Sequence, residues 1–197
     1  MSKAEKTRQF IIESTAELFT NKGYAGTSLS DISEATGLTK GSIYGYFENK
    51  DDVAKGVYLY NARLVQAGIA NDLNPEMTSR EKLMALLNHY RNSWDTHFSR
   101  GGCPIMNTAI ESDDTMPFLK TEVKKSFKAW SDKIARIIDE GKSKNEILDY
   151  VNPSDYSYLF IMLIEGGILI SKTTDDRNHL FNALDRTTQI IDTEQIK

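Results

Sequence analysis

Cys103 is the one cysteine of the 197-residue chain, set between Gly101-Gly102 and Pro104. That setting reads as a helix N-terminus, where the helix dipole favours a thiolate over a thiol. Two readings follow. Cys103 is either an electrophile or oxidant sensor, or a small buried hydrophobe whose burial opposes the thiolate. The acidic run Glu111-Ser112-Asp113-Asp114 nearby also disfavours a thiolate. Glu165 is a second candidate, because it interrupts the apolar stretch Leu159–Ile170. A buried carboxylate is costly unless paired or hydrogen-bonded, so it is either a polar anchor lining a ligand pocket, or a partly exposed group or one half of a salt bridge with a basic residue of another helix.

Catalytic chemistry finds no support. His89 and His97 stand eight apart, too far to chelate one ion closely, and His179 joins neither. The 111–114 run is conceivable as a metal site but reads more simply as a solvated helix end. The chain holds no Gly-rich phosphate loop, dinucleotide fingerprint or nucleophile elbow. No catalytic residue, metal site or cofactor is expected.

The segment most specific in its spacing is TSLSDISEATGLTKGSIYGYFENK, residues 27–50. Leu29, Ile32 and Ala35 repeat at helical spacing behind capping candidates Thr27, Ser28 and Ser30. Gly37 suits the end of that helix, since glycine adopts positive φ without steric cost. Thr39 then caps a second helix from Lys40, in which Ile43 and Phe47 face inward while Lys40, Gly41, Ser42, Tyr44 and Tyr46 face outward or sideways. This is the plan of a helix-turn-helix, whose second helix enters the DNA major groove.

With the helix before it, the segment resembles the N-terminal domain of TetR-family transcriptional regulators. The matching residues are Ala16-Glu17-Leu18-Phe19, Gly23-Tyr24, Thr27-Ser28, Ile32, Ala35, Gly37, Lys40-Gly41-Ser42-Ile43-Tyr44, Tyr46-Phe47 and Lys50. They cover the first quarter of the chain. Gly45 departs from the pattern, which usually carries a larger residue there; inside a helix it costs about 1 kcal/mol against alanine. The resemblance implies that Lys40, Ser42 and Tyr44 meet base edges or nearby phosphates. Thr27, Tyr46 and Lys50 would fix the head on the DNA backbone, with Ser28, Thr39 and Gly41 at the same surface.

Charge gives DNA binding little help. The net charge is −4, and residues 1–60 hold seven basic against eight acidic side chains. Binding must rest on local placement of Lys3, Lys6, Arg8, Lys40 and Lys50, with few phosphate contacts and a moderate salt dependence per subunit. The polar N-terminus, the absence of a membrane-length apolar run and the single cysteine fit a reducing cytoplasm and no membrane.

Helical spacing recurs along the rest of the chain, and about nine helices are expected in an all-α fold. The first runs from about Ala4 to a stop at Gly23. The stripe Leu83, Leu87, Tyr90, Trp94, Phe98 predicts one continuous helix behind the Thr78/Glu81 capping box. Residues 1–48 form a three-helix, homeodomain-like DNA-binding domain. Residues 49–197 supply a connecting helix and a helical effector-binding and dimerisation domain.

The stretch from Ser154 to Lys172 is apolar on nearly every side, so it must be covered on every side. Its own bundle on one side and a second subunit on the other are the expected covers; the alternative is a central core helix in a monomer. The resemblance implies dimerisation through the last two long helices, here by Ile161, Ile164, Gly167, Ile168, Leu180 and Leu184. It also implies a small-molecule effector pocket, for which Tyr90, Trp94, Met106, Phe127, Trp130, Phe160, Met162 and Glu165 are the candidates. The expected protein is a cytoplasmic homodimeric repressor that binds a palindromic double-stranded operator and is released by an unidentified effector. The rival is a helical small-molecule-binding or interaction module without DNA binding, motivated by the acidic balance and Gly45.

Overall fold

Side-chain caps set the helix starts. Ser2 with Glu5, Ser28 with Asp31, and Thr78 with Glu81 form reciprocal capping boxes, each satisfying two orphan donors. Asn152 accepts from Ser154 and Asp155 ahead of Pro153. The computed structural model describes residues 1–99 and 101–197, and for residues 97–99 the backbone alone; the His97 and Phe98 side chains read above lie outside the described residues.

The resulting elements are α1 (Lys3–Gly26), α2 (Leu29–Thr36), α3 (Lys40–Tyr44), α4 (Lys50–Asn71), α5 (Ser79–Asn92), α6 (Trp94–Ser99), α7 (Pro104–Ser112), α8 (Pro117–Ser143), α9 (Pro153–Thr173) and α10 (Asn178–Ile190), closed by a π-helical turn, Ile191–Gln195. The fold is all-α. Among the described residues ten helices rather than nine arise, because the stretch from Thr78 to Phe98 breaks at Ser93, whose N–H and hydroxyl both bond to the His89 carbonyl. The apolar stripe runs on through that break, so spacing alone did not reveal it. Gly23 kinks α1 (φ 70, ψ 179) instead of ending it, and one further turn follows.

Two compact units result. The first joins residues 1–64 to residues 104–124, and the second joins 65–103 to 125–197. Ile11, Ile12, Ile32, Ile43, Phe47, Val53 and Val57 form the core that holds α1 to α4 together in the first. In the second, α10 packs mainly on α9 and also on α5. Gly167 permits the closest approach there: a Cβ on it would lie 3.0 Å from the Leu180 Cα. At the start of α10 the Arg177 side chain makes no cap; Asp176 accepts from the Asn178 N–H at 2.9 Å, and Ser171 of α9 accepts from the Leu180 N–H at 2.7 Å. Among the described residues no helix is long and apolar enough to cross a membrane.

Candidate nucleic-acid interface and buried thiol–carboxylate pair

The head is built outward from Ile43. That residue and Ile32 are fully buried, and Phe47 nearly so; together they lock α3 across α2. Gly37 makes the turn between them in the left-handed conformation (φ 68), and Thr39 caps α3 by accepting from the Ser42 N–H. With its inner face fixed, α3 leaves Lys40, Gly41 and Tyr44 exposed and Ser42 half-buried. Ser28 and Thr39 are exposed beside them, and Tyr46 is half-buried against the core.

Gly41 and Gly45 differ in cause. A Cβ on Gly41 would meet nothing within 4 Å, so the chain itself gives no steric reason for glycine there. Gly45 follows α3 as its C-cap with ordinary helical φ, and a Cβ on it would sit 3.2 Å from the Ser42 carbonyl oxygen. It therefore ends the helix rather than weakening its interior.

Two expected backbone contacts are placed differently. Thr27 is fully buried; its hydroxyl donates to the Gly23 carbonyl at 2.7 Å and its N–H to Tyr24. It closes α1 and presents no surface to DNA. Lys50 is half-buried, with Nζ donating to the Tyr24 carbonyl at 2.6 Å and lying 4.1 Å from the Tyr24 ring centroid. Arg8 pairs with Asp52, Lys22 with Asp31 and Lys55 with Glu122. Of the basic residues in 1–60, Lys3, Lys6, Lys40 and Lys50 thus make no ion pair among the described residues, and Lys50 is held by the Tyr24 carbonyl and ring instead. Only Asp31 and Asp52 of the acidic residues in 1–60 enter these pairs, since Glu122 lies outside that stretch.

Tyr24 is a junction that the sequence reading did not single out. Its hydroxyl donates to the Asp51 carboxylate, which pushes its pKa up to about 12, helped by burial. Its ring meets Phe118 edge-on at 6.1 Å. Its N–H and that of Ala25 both donate to Glu111 at 2.7 Å. Glu111 is therefore not part of a merely solvated acidic run.

The second unit collects Tyr90, Trp94, Cys103, Trp130, Phe160 and Glu165 in its interior, each no more than 8% exposed. Tyr90 and Trp130 stack at 5.8 Å between centroids. The Cys103 thiol donates to Glu165 Oε1 at 3.0 Å. Oε2 of Glu165 and Nε1 of Trp130 are buried without a hydrogen-bond partner. Burial pushes the Glu165 carboxyl up to about 7, against a smaller downward pull from the thiol. Burial likewise raises the Tyr90 hydroxyl well above its ordinary value, with Cys103 and Glu165 adding to the rise. Of the other candidates, Phe127 is half-buried in this unit, Met106 belongs to the first unit, and Met162 is 63% exposed and so lies outside the interior set.

The residues expected at a subunit interface also need correction. Ile161, Ile164, Gly167, Ile168, Leu180 and Leu184 are all buried within the single chain, where they pack the α9–α10 pair. The outward apolar face of α9 is Tyr158, Met162, Leu169 and Ile170, each at least 43% exposed, and a Cβ on Gly166 there would meet only open space. A helix apolar on every side does not say by spacing which side its own bundle covers.

Comparison with known proteins adds an independent line. Residues 11–57 match the family described as bacterial regulatory proteins, tetR family. Residues 79–187 match the Tetracyclin repressor-like C-terminal domain. A TetR-family transcriptional regulator from Cytophaga hutchinsonii is 38% identical, with 100% of this chain and 98% of that one covered at a TM-score of 0.95. A TetR transcriptional regulator from Chloroflexus aurantiacus J-10-FL is 33% identical over the whole of both chains at a TM-score of 0.91. The HTH-type transcriptional repressor DhaR of Mycobacterium sp. (strain GP1) is 27% identical over 88% of this chain and 86% of its own.

Proposed function

The chain belongs to the TetR family of helix-turn-helix transcriptional regulators, and from that premise we propose that it is a homodimeric repressor, located in the cytoplasm, that a small-molecule effector releases from a palindromic operator. Residues 1–48 carry the reading head and residues 49–197 serve effector binding and dimerisation. Lys40, Ser42 and Tyr44 meet base edges or adjacent phosphates, with Ser28, Thr39, Gly41 and Tyr46 along the DNA backbone.

The observation that carries this reading is the outward face of α3. Its inner face is locked by Ile43, while Lys40, Gly41 and Tyr44 have no structural task inside the chain. Glycine in a helix is unfavourable by roughly 1 kcal/mol, and at Gly41 a close approach by a DNA strand explains it. Few unpaired cations per head make a second head necessary for useful affinity, and two-fold pairing of heads matches a palindrome. A second copy on the Tyr158–Ile170 face of α9 supplies that pairing.

Selection of a duplex from a random-sequence library, followed by gel shift, tests the reading. Lys40→Ala and Tyr44→Ala should each weaken the selected duplex by at least about ten-fold, in line with losing one good contact of 1–3 kcal/mol. Failure of the wild-type chain to enrich any duplex at low salt favours the module without DNA binding.

A second reading concerns effector chemistry. The 3.0 Å contact sets Glu165 as a base on the Cys103 thiol. When an electrophilic alkene arrives, the sulfur bonds to carbon, the thiol proton passes to Glu165, and the product carbanion is then protonated. Cys103→Ser should remove release by electrophiles such as N-ethylmaleimide while leaving duplex affinity intact. Unchanged release by the serine variant sinks this reading.

A further inference from the structure

Glu111 is the penultimate residue of α7, and its carboxylate accepts two consecutive backbone N–H groups of α1, those of Tyr24 and Ala25, at 2.7 Å each. A carboxylate taking one backbone donor on each oxygen is a strong, oriented contact. Gly23 makes it possible in two ways. Its φ of 70 with ψ of 179 is open to glycine and strained for other residues. A Cβ at that position would also stand 2.7 and 2.9 Å from the two Glu111 oxygens. The residue so held, Tyr24, is tied in turn to the first two residues of α4 through the Lys50 ammonium and the Asp51 carboxylate. Those two residues come directly after the 45–49 segment that leaves the recognition helix. A cavity of about 30 Å³ bordered by Thr20, Tyr24, Asn61 and Glu111 lies beside the contact, room for a water.

α7 begins at Pro104, next in the chain to Cys103, and the chain passes from the second unit to the first between these two residues. Seven residues of helix, about 10 Å of rise, separate Pro104 from Glu111. We infer that Glu111 is a positioning residue, the latch through which movement of α7 sets the reading head: docked on Tyr24 and Ala25 it holds the head in its DNA-binding geometry, and its withdrawal frees the head. This rests on the repressor reading above, in which the protein without effector is the form that binds DNA.

Charge and geometry predict opposite signs, which makes the inference testable. Removing a negative charge from an acidic chain should help DNA binding. Glu111→Gln keeps the shape but presents an NH₂ to one of the two backbone donors, so the latch predicts a loss. Duplex affinity should fall on the order of ten-fold or more, as the binding-competent fraction falls. Asp114→Asn, at an exposed position with no partner among the described residues, gives the effect of charge alone and should match or slightly exceed wild type. Hydrogen exchange supplies a readout that needs no variant: in wild-type protein the 23–27 amides should exchange more slowly in the duplex complex than in free protein. Glu111→Asp, a methylene shorter, should lie between wild type and Glu111→Gln.

Glu111→Gln binding as well as Asp114→Asn overturns the latch. So does equal exchange of residues 23–27 with and without duplex, which decides the matter even if the Gln variant does not fold. Failure of the wild-type protein to bind any selected duplex is distinct from these, because it removes the repressor reading itself.

Discussion

Glu165→Gln separates a buried titrating carboxyl from an ordinary one. Glu165 is 6% exposed, and its carboxyl rises from an ordinary 4.5 to about 7 because burial penalises its charged form. The folded chain therefore holds this proton more tightly than the unfolded chain. Below pH 4.5 both states are protonated and the group's contribution to stability is fully present. Between 4.5 and 7 the unfolded carboxyl has already ionised, so stability falls as pH rises, and the loss is complete above 7. At 1.36 kcal/mol per unit the full span is about 3 kcal/mol, most of which lies between pH 5 and pH 8.

Glutamine in its place keeps an oxygen for the Cys103 thiol and carries no charge at either pH. It places an NH₂ where Oε2 now lacks a partner, a penalty of about 1–3 kcal/mol that does not depend on pH and cancels in the comparison. Urea unfolding of both proteins at pH 5 and pH 8, at one fixed protein concentration because a dimer's stability depends on it, yields the double difference. The variant should gain about 2–3 kcal/mol on wild type between the two pH values. A gap that stays constant within about 0.5 kcal/mol would refute the argument that Glu165 is protonated at mildly acid pH because it is buried.

Three other perturbations have definite outcomes. Met162→Glu, on the outward face of α9, should shift the protein to monomer in analytical ultracentrifugation without lowering its helical content by circular dichroism; a persistent dimer moves the interface elsewhere. Gly167→Ala places its methyl 3.0 Å from a backbone carbon of α10, which cannot swing aside, so about 1–3 kcal/mol of stability should be lost. Gly166→Ala meets open space, and with the helix propensity of alanine it should be neutral or stabilising by up to about 1 kcal/mol; equal losses at both glycines in thermal unfolding would contradict the packing described. Thr27→Ala should cost about 1 kcal/mol of stability through its buried hydrogen bond and leave the sequence preference of the selected duplex unchanged; a changed preference would place Thr27 at the DNA.

Local signals carried the parts of this fold that are local. Ser28 with Asp31, Gly37 and Thr39 announce the helix-turn-helix because caps and turns act within four residues. Thr78 with Glu81 and Asn152-Pro153 mark two more starts for the same reason. Misreadings arose where a distant partner decides. The stripe through Tyr90, Trp94 and Phe98 hides the break at Ser93. The all-round apolar α9 gives no sign of which side α10 covers, so its inward residues cannot be told from an interface by spacing. The Cys103–Glu165 contact spans 62 residues and the Glu111–Tyr24 contact 87. An acceptor for backbone N–H groups leaves no trace in the identity of the residues that donate them.

The first unit is discontinuous in sequence, since residues 104–124 complete what residues 1–64 begin. This matters for chimeric regulators, in which one protein's reading head is grafted onto another's effector domain. A graft cut at residue 48 moves Gly23, Tyr24 and Ala25 but leaves Glu111 and Phe118 behind, and the recipient's own side chains must then meet a kink they do not match. A transplant that carries residues 104–124 along with the head keeps these partners together. The natural cut sites for such an exchange therefore come in pairs along the chain, and recombination at a single point would separate a head from the segment that holds it.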